Sequence, residues 1–431
     1  MQQTAKILKT ALLMTGNELI SGDTIDSNSA FLGQVLPAAG LEIQEKVTVG
    51  DNLHMLVYQL QRLASQYELI LLNGGLGPTQ DDLTASALSH LSQTALVEHS
   101  GARAHVENWC KKRNIPANAA NLSQAMLPES ADIFPHAPGS ASAFYLQYGQ
   151  CLIIATPGIP SEMKKIVQEQ MIPFLQQRYR LSAAVPWRQY QLFGIGESSL
   201  QQLLDEHFAR LNKTLDIGFR VNFPYIELKL RPWPDSCAEQ ASKDCKALLS
   251  YLDDYLLGPA NSTMAEALVN RLQGLNKTVS SAESCTGGRI AAEITAVAGA
   301  SDVFPGSIVC YSNHIKQQLL QVKQKTLDEQ GAVSQATVLQ MLAGLLRQTG
   351  SDYGVAVSGI AGPGGGSPDK PTGTVWLAWG DKEEHYSVCL CIKLERTMFQ
   401  LLVSTVAMDL LRRQAGGLNC QPPYLQRWQV Y

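Results

Sequence analysis

Short apolar runs alternate with helical patterns near the start of the chain, and this alternation restricts the fold more than any other feature. The pattern predicts strands at residues 7–15, 69–72 and 151–155, and helices at residues 28–39 and 53–65. Such alternation is typical of a parallel sheet covered by helices, which binds ligands beyond the carboxyl ends of its strands. We therefore expect an α/β protein.

The rest of the chain shows two further patterns of predicted helices and strands. Residues 175–257 predict a small α+β module, with strands at 187–193 and 225–231, helices at 198–211 and 237–256, and a linker at 257–262. From residue 263 to 415 the alternation returns. Its predicted elements are strands at 278–282, 307–311, 353–358, 374–380 and 386–393, followed by a long helix at 396–413. We thus expect domains at 1–172, 175–257 and 263–415, and we assign no structure to residues 418–431.

Composition excludes several classes of protein. The 431 residues are too many for one core, and 45% hydrophobic with 17% charged residues is typical of a soluble globular protein. A net charge of −4 argues against generic nucleic-acid binding. No apolar run is long enough to cross a bilayer or to resemble a signal peptide. The nine cysteines form no CxxC pair, so we expect a cytoplasmic protein without a zinc ribbon or redox site.

Residues 280–290 (SSAESCTGGRI) are the strongest candidate for an active site. They join a predicted strand to a predicted helix and contain several reactive side chains. The glycines Gly287 and Gly288 let the backbone approach a ligand closely, and N–H groups at a helix start suit an anion or a developing oxyanion. Three potential nucleophiles, Ser284, Cys285 and Thr286, lie in this turn. The alternative is an ordinary hydroxyl-rich helix cap with a glycine turn.

A second glycine loop follows the strand predicted at 69–72. Its candidate nucleotide-binding residues are Asn73, Gly74, Gly75, Gly77 and Thr79, whose main-chain N–H groups would cradle phosphate. The neighbouring carboxylates of Asp81 and Asp82 offer oxygen ligands to a divalent cation. The alternative is a tight turn with acidic residues favourable to the helix dipole.

Five motifs in this first domain resemble the competence/damage-inducible protein A (CinA) family: residues 16–22 (GNELISG), 26–29 (DSNS), 48–52 (TVGDN), 74–84 (GGLGPTQDDLT) and 156–163 (TPGIPSEM). The resemblance implies a molybdopterin-binding-like domain. It also implies an ADP-ribose pyrophosphatase dependent on a divalent cation such as Mg, Co or Ni. Two positions depart from the family: Asn17 stands where an aspartate is usual, and His136 where an asparagine is usual.

Five further motifs resemble the nicotinamide mononucleotide deamidase domain of the same family: residues 283–288 (ESCTGG), 311–313 (YSN) with Lys316, 331–334 (GAVS), 358–363 (SGIAGP) and 370–375 (KPTGTV). The resemblance implies an amidohydrolase that needs no cofactor. It would convert nicotinamide mononucleotide to nicotinate mononucleotide and ammonia in pyridine nucleotide salvage.

The implied mechanism pairs a serine with a lysine. Ser284 would be the nucleophile and Lys316 its base, with a pKa lowered by partial burial and a cationic neighbour. Tyr311 would hydrogen-bond the lysine or the substrate. Without the motif, Lys316 would be an ordinary exposed helix lysine, and Tyr311 a packing residue. Cys285 is the rival nucleophile, since a helix start acidifies a thiol.

The remaining candidates bind substrate. Thr286, Gly287 and Gly288 would form the oxyanion hole. Ser301 and Ser358 would donate to the substrate or the dyad. The glycine run from Gly359 to residue 366 would meet phosphate or ribose, or be a flexible loop. Arg396 would bind the substrate phosphate, although the second arginine usual in the family near position 400 is replaced by Gln400.

Two other functions stay open at this point: ADP-ribose cleavage by the first domain, and a non-catalytic nucleotide- or pterin-binding protein that supports DNA uptake or repair. The middle module resembles a KH-type fold, but it has no GxxG loop, so we expect no RNA binding. The family implies small-molecule nucleotide substrates, no nucleic-acid or membrane partner, and a homodimer.

Overall fold

The computed structural model of the chain describes residues 8–136, 138–179, 181, 185–233 and 236–430. The chain divides into two compact units, Met1–Pro186 and Trp187–Tyr431. Ile7, predicted to begin the first strand, and Ala137, beside the His136 departure, lie outside the described residues. Unit 2 contains both the predicted middle module and the predicted last domain, and the boundary between these two stays a prediction.

Unit 1 is built around one mixed sheet. Its elements are β1 (Leu8–Thr15), α1 (Asn17–Ser21), α2 (Ser27–Val35), β2 (Leu41–Val49), α3 (Leu53–Ala64), β3 (Leu69–Asn73), α4 (Thr84–Ser92), β4 (Leu96–Glu98), α5 (Ser100–Lys112), α6 (Ala119–Ser123), β5 (Met126–Pro128), β6 (Asp132–Ile133), β7 (Phe144–Tyr148), β8 (Cys151–Thr156), α7 (Pro160–Ile166) and α8 (Ile172–Tyr179). The strand order is β2-β1-β3-β8-β7-β6, and β4 pairs with β5 separately.

The four strands β2, β1, β3 and β8 run parallel, and β7 and β6 extend the sheet antiparallel. Every residue of β3 and β8 is buried, because helices cover both faces of the sheet. Leucines of α3 and α4 pack on one face, and apolar residues of α2, α7 and α8 pack on the other. The predicted helix-covered parallel sheet is confirmed. Its carboxyl edge carries the glycine loop that follows β3.

Unit 2 contains two sheets. Its elements are β9 (Arg188–Leu192), α9 (Glu197–Phe208), β10 (Leu215–Asn222), β11 (Tyr225–Pro232), α10 (Ala238–Tyr251), β12 (Leu256–Pro259), α11 (Met264–Leu275), β13 (Val279–Glu283), α12 (Arg289–Thr295), β14 (Gly306–Val309), α13 (Asn313–Leu320), α14 (Gln324–Gln330), α15 (Gln335–Thr349), β15 (Tyr353–Gly359), β16 (Thr374–Gly380), β17 (His385–Cys391) and α16 (Arg396–Gly416).

The first sheet of unit 2 corrects the sequence prediction in two places. Its order is β10-β11-β9-β12, with antiparallel pairing throughout. Strand β10 was not predicted, and the linker predicted at 257–262 is partly strand β12, paired with β9. A Gly-Pro segment gives a weak strand signal, yet an edge strand tolerates proline because its outer N–H needs no partner.

The second sheet of unit 2 positions the candidate active-site residues. Its order is β14-β13-β15-β16-β17, with β14, β13 and β15 parallel and the last two strands forming an antiparallel hairpin. Residues of α11, α12 and α16 fill one core cluster on this sheet, and residues of α13 and α15 fill the other. Because β13, β14 and β15 are parallel, their carboxyl ends meet at one edge. The motif residues after these three strands are therefore brought together.

A buried polar cluster fixes the C-terminal part of unit 2. Asp409, in the middle of α16, is 0% exposed and accepts from Arg412, Arg413 and the hydroxyl of Tyr424. Tyr424 belongs to a 3₁₀ helix, Pro423–Arg427, within a segment for which the sequence predicted no structure.

Within the described residues, no helix combines the length and the apolar character that crossing a membrane requires.

Candidate functional site

Ser284 and Lys316 meet at the carboxyl edge of the second sheet. Ser284 follows β13, and Lys316 lies on α13, which begins after β14 and is capped by Ser312. The Nζ of Lys316 lies 3.0 Å from the Oγ of Ser284. It also lies 2.8 Å from the backbone oxygen of Cys310 and 3.4 Å from that of Tyr311. The predicted serine and lysine therefore form a hydrogen-bonded pair.

Burial changes the acidity of this lysine. Lys316 is only 1% exposed, and among the described residues no carboxylate forms an ion pair with it. Loss of hydration disfavours the charged ammonium and lowers the pKa of Lys316 below its usual value. The prediction named burial and a cationic neighbour as causes, and burial is the cause that the structure supplies. An exposed helix lysine, the alternative, is ruled out by this burial.

Cys285 is placed unfavourably for a nucleophile. Its side chain is 4% exposed and belongs to the apolar cluster under α12 and α16. Desolvation raises the pKa of the Cys285 thiol to about 12, so it stays protonated at neutral pH. The acidifying helix start that the sequence suggested does not offset this burial. Between the two rivals, the geometry favours Ser284.

The turn after Ser284 is organised by Glu283, the last residue of β13. The Glu283 side chain is 0% exposed and folds back over the start of α12. Its Oε2 accepts from the N–H groups of Gly288 and Ile290, and its Oε1 accepts from the N–H of Ala291, at 2.9–3.1 Å. The hydroxyl of Thr286 donates to Oε2 at 2.8 Å. A carboxylate of the protein thus occupies the anion-binding start of this helix.

This arrangement differs from the oxyanion hole predicted at Thr286, Gly287 and Gly288. Thr286 and Gly288 donate to Glu283, and the N–H of Gly287 donates to the backbone oxygen of Ser284. All three predicted donors are therefore used inside the turn. In the part of the chain that the structure describes, no oxygen accepts from the N–H of Cys285, and Cys285 lines the pocket beside Ser284.

Tyr311 and Arg396 form the rim of the same pocket. The Tyr311 side chain is 63% exposed, and its hydroxyl accepts from Nη2 of Arg396 at 3.2 Å. Its backbone oxygen, and not its phenol, contacts Lys316. Nη1 of Arg396 donates to the backbone oxygen of Gly362 at 2.8 Å. A guanidinium has five N–H groups, so Arg396 keeps donors for a ligand after these two contacts.

The structure separates the other predicted donors. Ser358 and Gly359 line the pocket at the end of β15, but the Ser358 hydroxyl donates to the backbone oxygen of Ala332. Ser358 therefore holds the loop before α15. Ser301 is exposed in a short 3₁₀ helix and is not part of the pocket lining, so the structure does not bring it to Ser284.

Two contributors were not identified from the sequence. Gln400 on α16 donates to the backbone oxygen of Cys285 at 2.9 Å and so ties the Ser284 turn to that helix. Glu283 was named only as part of the 283–288 motif, and no role was assigned to it. The signal for its role was a carboxylate directly before a helix-start turn, a position that favours negative charge. The pocket itself measures 230 Å³.

The glycine loop of unit 1 lies beside a separate cleft of 440 Å³. Gly74, Gly75, Gly77 and Thr79 line this cleft, as predicted. Asn73 does not, because its amide is buried and donates to Thr156 and to the backbone oxygen of Pro157. Asn73 therefore joins two neighbouring loops at the sheet edge.

The two aspartates predicted to bind a metal differ in their surroundings. Asp82 accepts from the N–H of Gly77 and from both the N–H and the hydroxyl of Thr79, so each of its oxygens shapes the loop. Asp81 is exposed. Across the described ranges, no group of three or more His, Cys, Asp or Glu side chains is placed to hold a metal ion. Both aspartates line the cleft beside the glycine loop, and their role as ligands of a divalent cation stays a prediction.

Asn17 shows what its departure from the family does locally. Its Oδ1 accepts from the N–H of Asp51 at 3.1 Å, and its own N–H donates to the Asp51 carboxylate at 3.0 Å. The side chain thus joins the start of α1 to the turn after β2. An amide oxygen makes this contact without adding charge to a cleft that already contains Glu18 and Asp51.

Two protein-family models match this chain, one in each of its units. A family model described as the CinA C-terminal domain matches residues 261–415. A second, described as a probable molybdopterin binding domain, matches residues 11–177. Among solved structures, the competence/damage inducible protein CihA from Agrobacterium tumefaciens is 40% identical, covering 34% of this chain and 91% of its own, with a TM-score of 0.33.

Curated relatives match along almost the whole chain. A CinA-like protein of Colwellia psychrerythraea is 40% identical over 420 residues, which are 97% of each chain. A CinA-like protein of Shewanella pealeana is 38% identical over 411 residues, covering 95% of this chain and 96% of its own. Both domains occur in these matches in the same order as here. The chain therefore belongs to the CinA family, with a molybdopterin-binding-like domain followed by a CinA C-terminal domain.

Proposed function

We propose that unit 2 is an amidohydrolase that converts nicotinamide mononucleotide to nicotinate mononucleotide and ammonia. The observation that carries this proposal is the buried amine of Lys316, which has no carboxylate partner among the described residues and lies 3.0 Å from the Ser284 hydroxyl. A serine needs a neighbouring base to become a nucleophile, and a lysine acts as one only when its pKa is lowered. This pair meets both requirements.

Two of the contacts of Lys316 are backbone oxygens, which can hold the N–H bonds of a neutral amine. A neutral amine has two N–H bonds and one lone pair. In the structure Nζ donates to the backbone oxygens of Cys310 and Tyr311 and to the Oγ of Ser284. Once Lys316 is neutral, two N–H bonds stay on the carbonyls and the lone pair is left to accept the Ser284 hydroxyl proton. The two carbonyls thereby orient the base toward the nucleophile, and no histidine is needed.

The reaction then proceeds in two halves. The Oγ of Ser284 attacks the carboxamide carbon while its proton passes to Lys316. The tetrahedral intermediate collapses as Lys316 returns that proton to the departing ammonia, which leaves an ester on Ser284. Water, deprotonated by Lys316, attacks the ester, and the new intermediate collapses with cleavage of the bond between the carbonyl carbon and Oγ. Lys316 returns the proton to the departing Oγ of Ser284, which releases the acid product and restores both residues. The N–H of Cys285, from which no oxygen of the described residues accepts, is our candidate donor to the oxyanion.

The pocket rim suits the rest of the nucleotide. Arg396 lies exposed on the rim with unused N–H groups, and its fork geometry matches a phosphate. Gly359 and Ala361, at the start of the glycine segment, line the same pocket. We assign the phosphate to Arg396 and the nicotinamide ring to the space between Ser284 and Ala332.

The test is ammonia release from nicotinamide mononucleotide by the purified protein and three variants. Ser284→Ala and Lys316→Ala should abolish release, and Cys285→Ala should retain it, because the thiol is buried and protonated. Loss in Cys285→Ala alone would move the nucleophile by one residue. A wild type that releases no ammonia would refute the amidase and favour a binding protein.

For unit 1 we propose nucleotide binding at the loop of Gly74, Gly75 and Gly77. The supporting observation is the 440 Å³ cleft that these glycines line at the carboxyl edge of β3. Calorimetric titration with ADP-ribose, with and without a divalent cation, tests binding, and phosphate analysis of the products tests cleavage. Binding without cleavage would assign recognition to unit 1, and no binding would refute this second proposal.

A further inference from the structure

Both side-chain oxygens of Glu283 accept hydrogen bonds from the turn that carries Ser284. Within the described parts of unit 2, no lysine, arginine or histidine forms an ion pair with Glu283. Its neighbours are instead three backbone N–H groups and the Thr286 hydroxyl, and the hydroxyls of Ser281 and Ser307 lie at 3.1 and 3.3 Å from Oε1. Backbone N–H groups can only donate, so the group that faces them must accept with both oxygens.

These contacts bridge both ends of the nucleophile turn. Glu283 belongs to β13, and the N–H groups it holds belong to Gly288 and to the first residues of α12. Ser284 lies between these ends, and its own N–H donates to the backbone oxygen of Val357 in β15. The carboxylate therefore fixes the path of the chain on which the Ser284 hydroxyl is carried.

We propose that Glu283 is a positioning residue, which locks the turn against α12 and so holds the Oγ of Ser284 on Lys316. This inference rests on the proposed serine–lysine mechanism and adds a residue that contacts neither substrate nor reacting atoms. Positioning matters because a displacement of about 1 Å in a reacting group can cost about 10²-fold in rate.

Glu283→Gln is the sharpest perturbation because it keeps the shape of the side chain. Both carboxylate oxygens face a backbone N–H, Oε2 toward Gly288 and Ile290 and Oε1 toward Ala291. A glutamine has one oxygen and one NH₂ group, so either orientation sets a donor against a donor. The turn must then move.

Glu293→Gln is the matched control. Glu293 lies on α12, the helix whose start contacts Glu283, and is partly buried. Among the described residues its carboxylate forms an ion pair with Arg289, one turn earlier on that helix. The same loss of one charge therefore occurs in α12, close to the Ser284 turn, without removing any of the hydrogen bonds that hold the turn.

The experiment measures kcat and KM with nicotinamide mononucleotide, and the rate at which a fluorophosphonate probe labels Ser284. We expect kcat and the labelling rate of Glu283→Gln to fall about 10²-fold, with KM within threefold of wild type and Glu293→Gln unchanged. A purely structural role would reduce the amount of folded protein but not the labelling rate of the folded molecules. A folded Glu283→Gln with wild-type rates would overturn the proposal.

The labelling rate separates this inference from the proposed function. If the wild type is labelled at Ser284 but releases no ammonia, the substrate assignment fails and the labelling rates still decide the role of Glu283. If the wild type is not labelled at all, Ser284 is not activated and the positioning role fails. Should Glu283→Gln not fold, Thr286→Val removes a single donor to the carboxylate. A fall of about tenfold in its labelling rate supports the proposal, and an unchanged rate overturns it.

Discussion

Replacing Lys316 with methionine separates the acidity of this lysine from its chemistry. Methionine keeps an unbranched side chain of similar length but has no proton to exchange. We expect the difference in unfolding free energy between wild type and Lys316→Met to depend on pH. The reason is that Lys316 is 1% exposed and its pKa is lowered in the folded protein by loss of hydration.

The sign and size follow from proton linkage. Between the lowered pKa of the folded state and a value of about 10.4 in the unfolded chain, the unfolded state binds one more proton. The stability of the wild type therefore rises with pH in this window, by up to about 1.4 kcal/mol per pH unit. Below the window both states are protonated, and the full cost of burying the ammonium remains. In Lys316→Met this dependence disappears. The unfolding free energy of the wild type minus that of the variant therefore increases as pH rises.

Urea unfolding at pH 7 to 9.5, followed by tryptophan fluorescence, measures this difference. Trp379 is 1% exposed in the core beside the second sheet of unit 2, so its emission reports on that core. Lys325→Met is the control, because the Lys325 side chain is 80% exposed and should show no such dependence. A wild type and Lys316→Met that differ by a constant free energy across this range would refute the lowered pKa, and with it the role of Lys316 as a base.

Four further predictions concern the site and the rest of unit 2. Gly344→Ala should reduce activity and cost about 1–3 kcal/mol in urea unfolding, because the new Cβ would lie 2.1 Å from the backbone oxygen of Leu320 and push the helix that carries the lysine. Asp409→Ala should cost about 3–5 kcal/mol in unfolding free energy, since two buried arginines lose their acceptor. Arg396→Gln should raise KM for nicotinamide mononucleotide more than it lowers kcat, and equal effects on both would exclude a role in phosphate binding. Iodoacetamide should leave the activity intact, because burial holds the Cys285 thiol in its protonated form.

The sequence predicted the large parallel-sheet elements well because their signals are strong. All six consecutive residues of β8 are buried, and a strand is buried on both faces when it lies between two layers of helices. The predicted strand ended one residue too early. The strand β12 was missed because its Leu-Leu-Gly-Pro segment has the composition of a linker. Only its pairing with β9, about 65 residues earlier in the chain, makes it a strand.

At the site, the motifs predicted that Ser284 and Lys316 form a pair, but they did not predict which groups hydrogen-bond to that pair and to its turn. The sequence placed Tyr311 near the lysine, yet the contact uses its backbone oxygen, which no side-chain reasoning can identify. It also assigned oxyanion donors to Thr286 and Gly288, which Glu283 occupies in the fold. Such competition between a ligand and an internal carboxylate depends on side-chain geometry and is not visible in a motif.

The last residues of the chain have a consequence for work with isolated domains. Strand β17 is the outer strand of its sheet, and residues 428–430 lie along its free side, with Cys391 donating to the backbone oxygen of Trp428 and Val430 donating to that of Cys389. A recombinant fragment that ends at residue 415, where the family match ends, would lose this cover. Its uncovered strand edge would be a template for pairing between molecules, so such a fragment is expected to aggregate where one that continues to residue 431 does not.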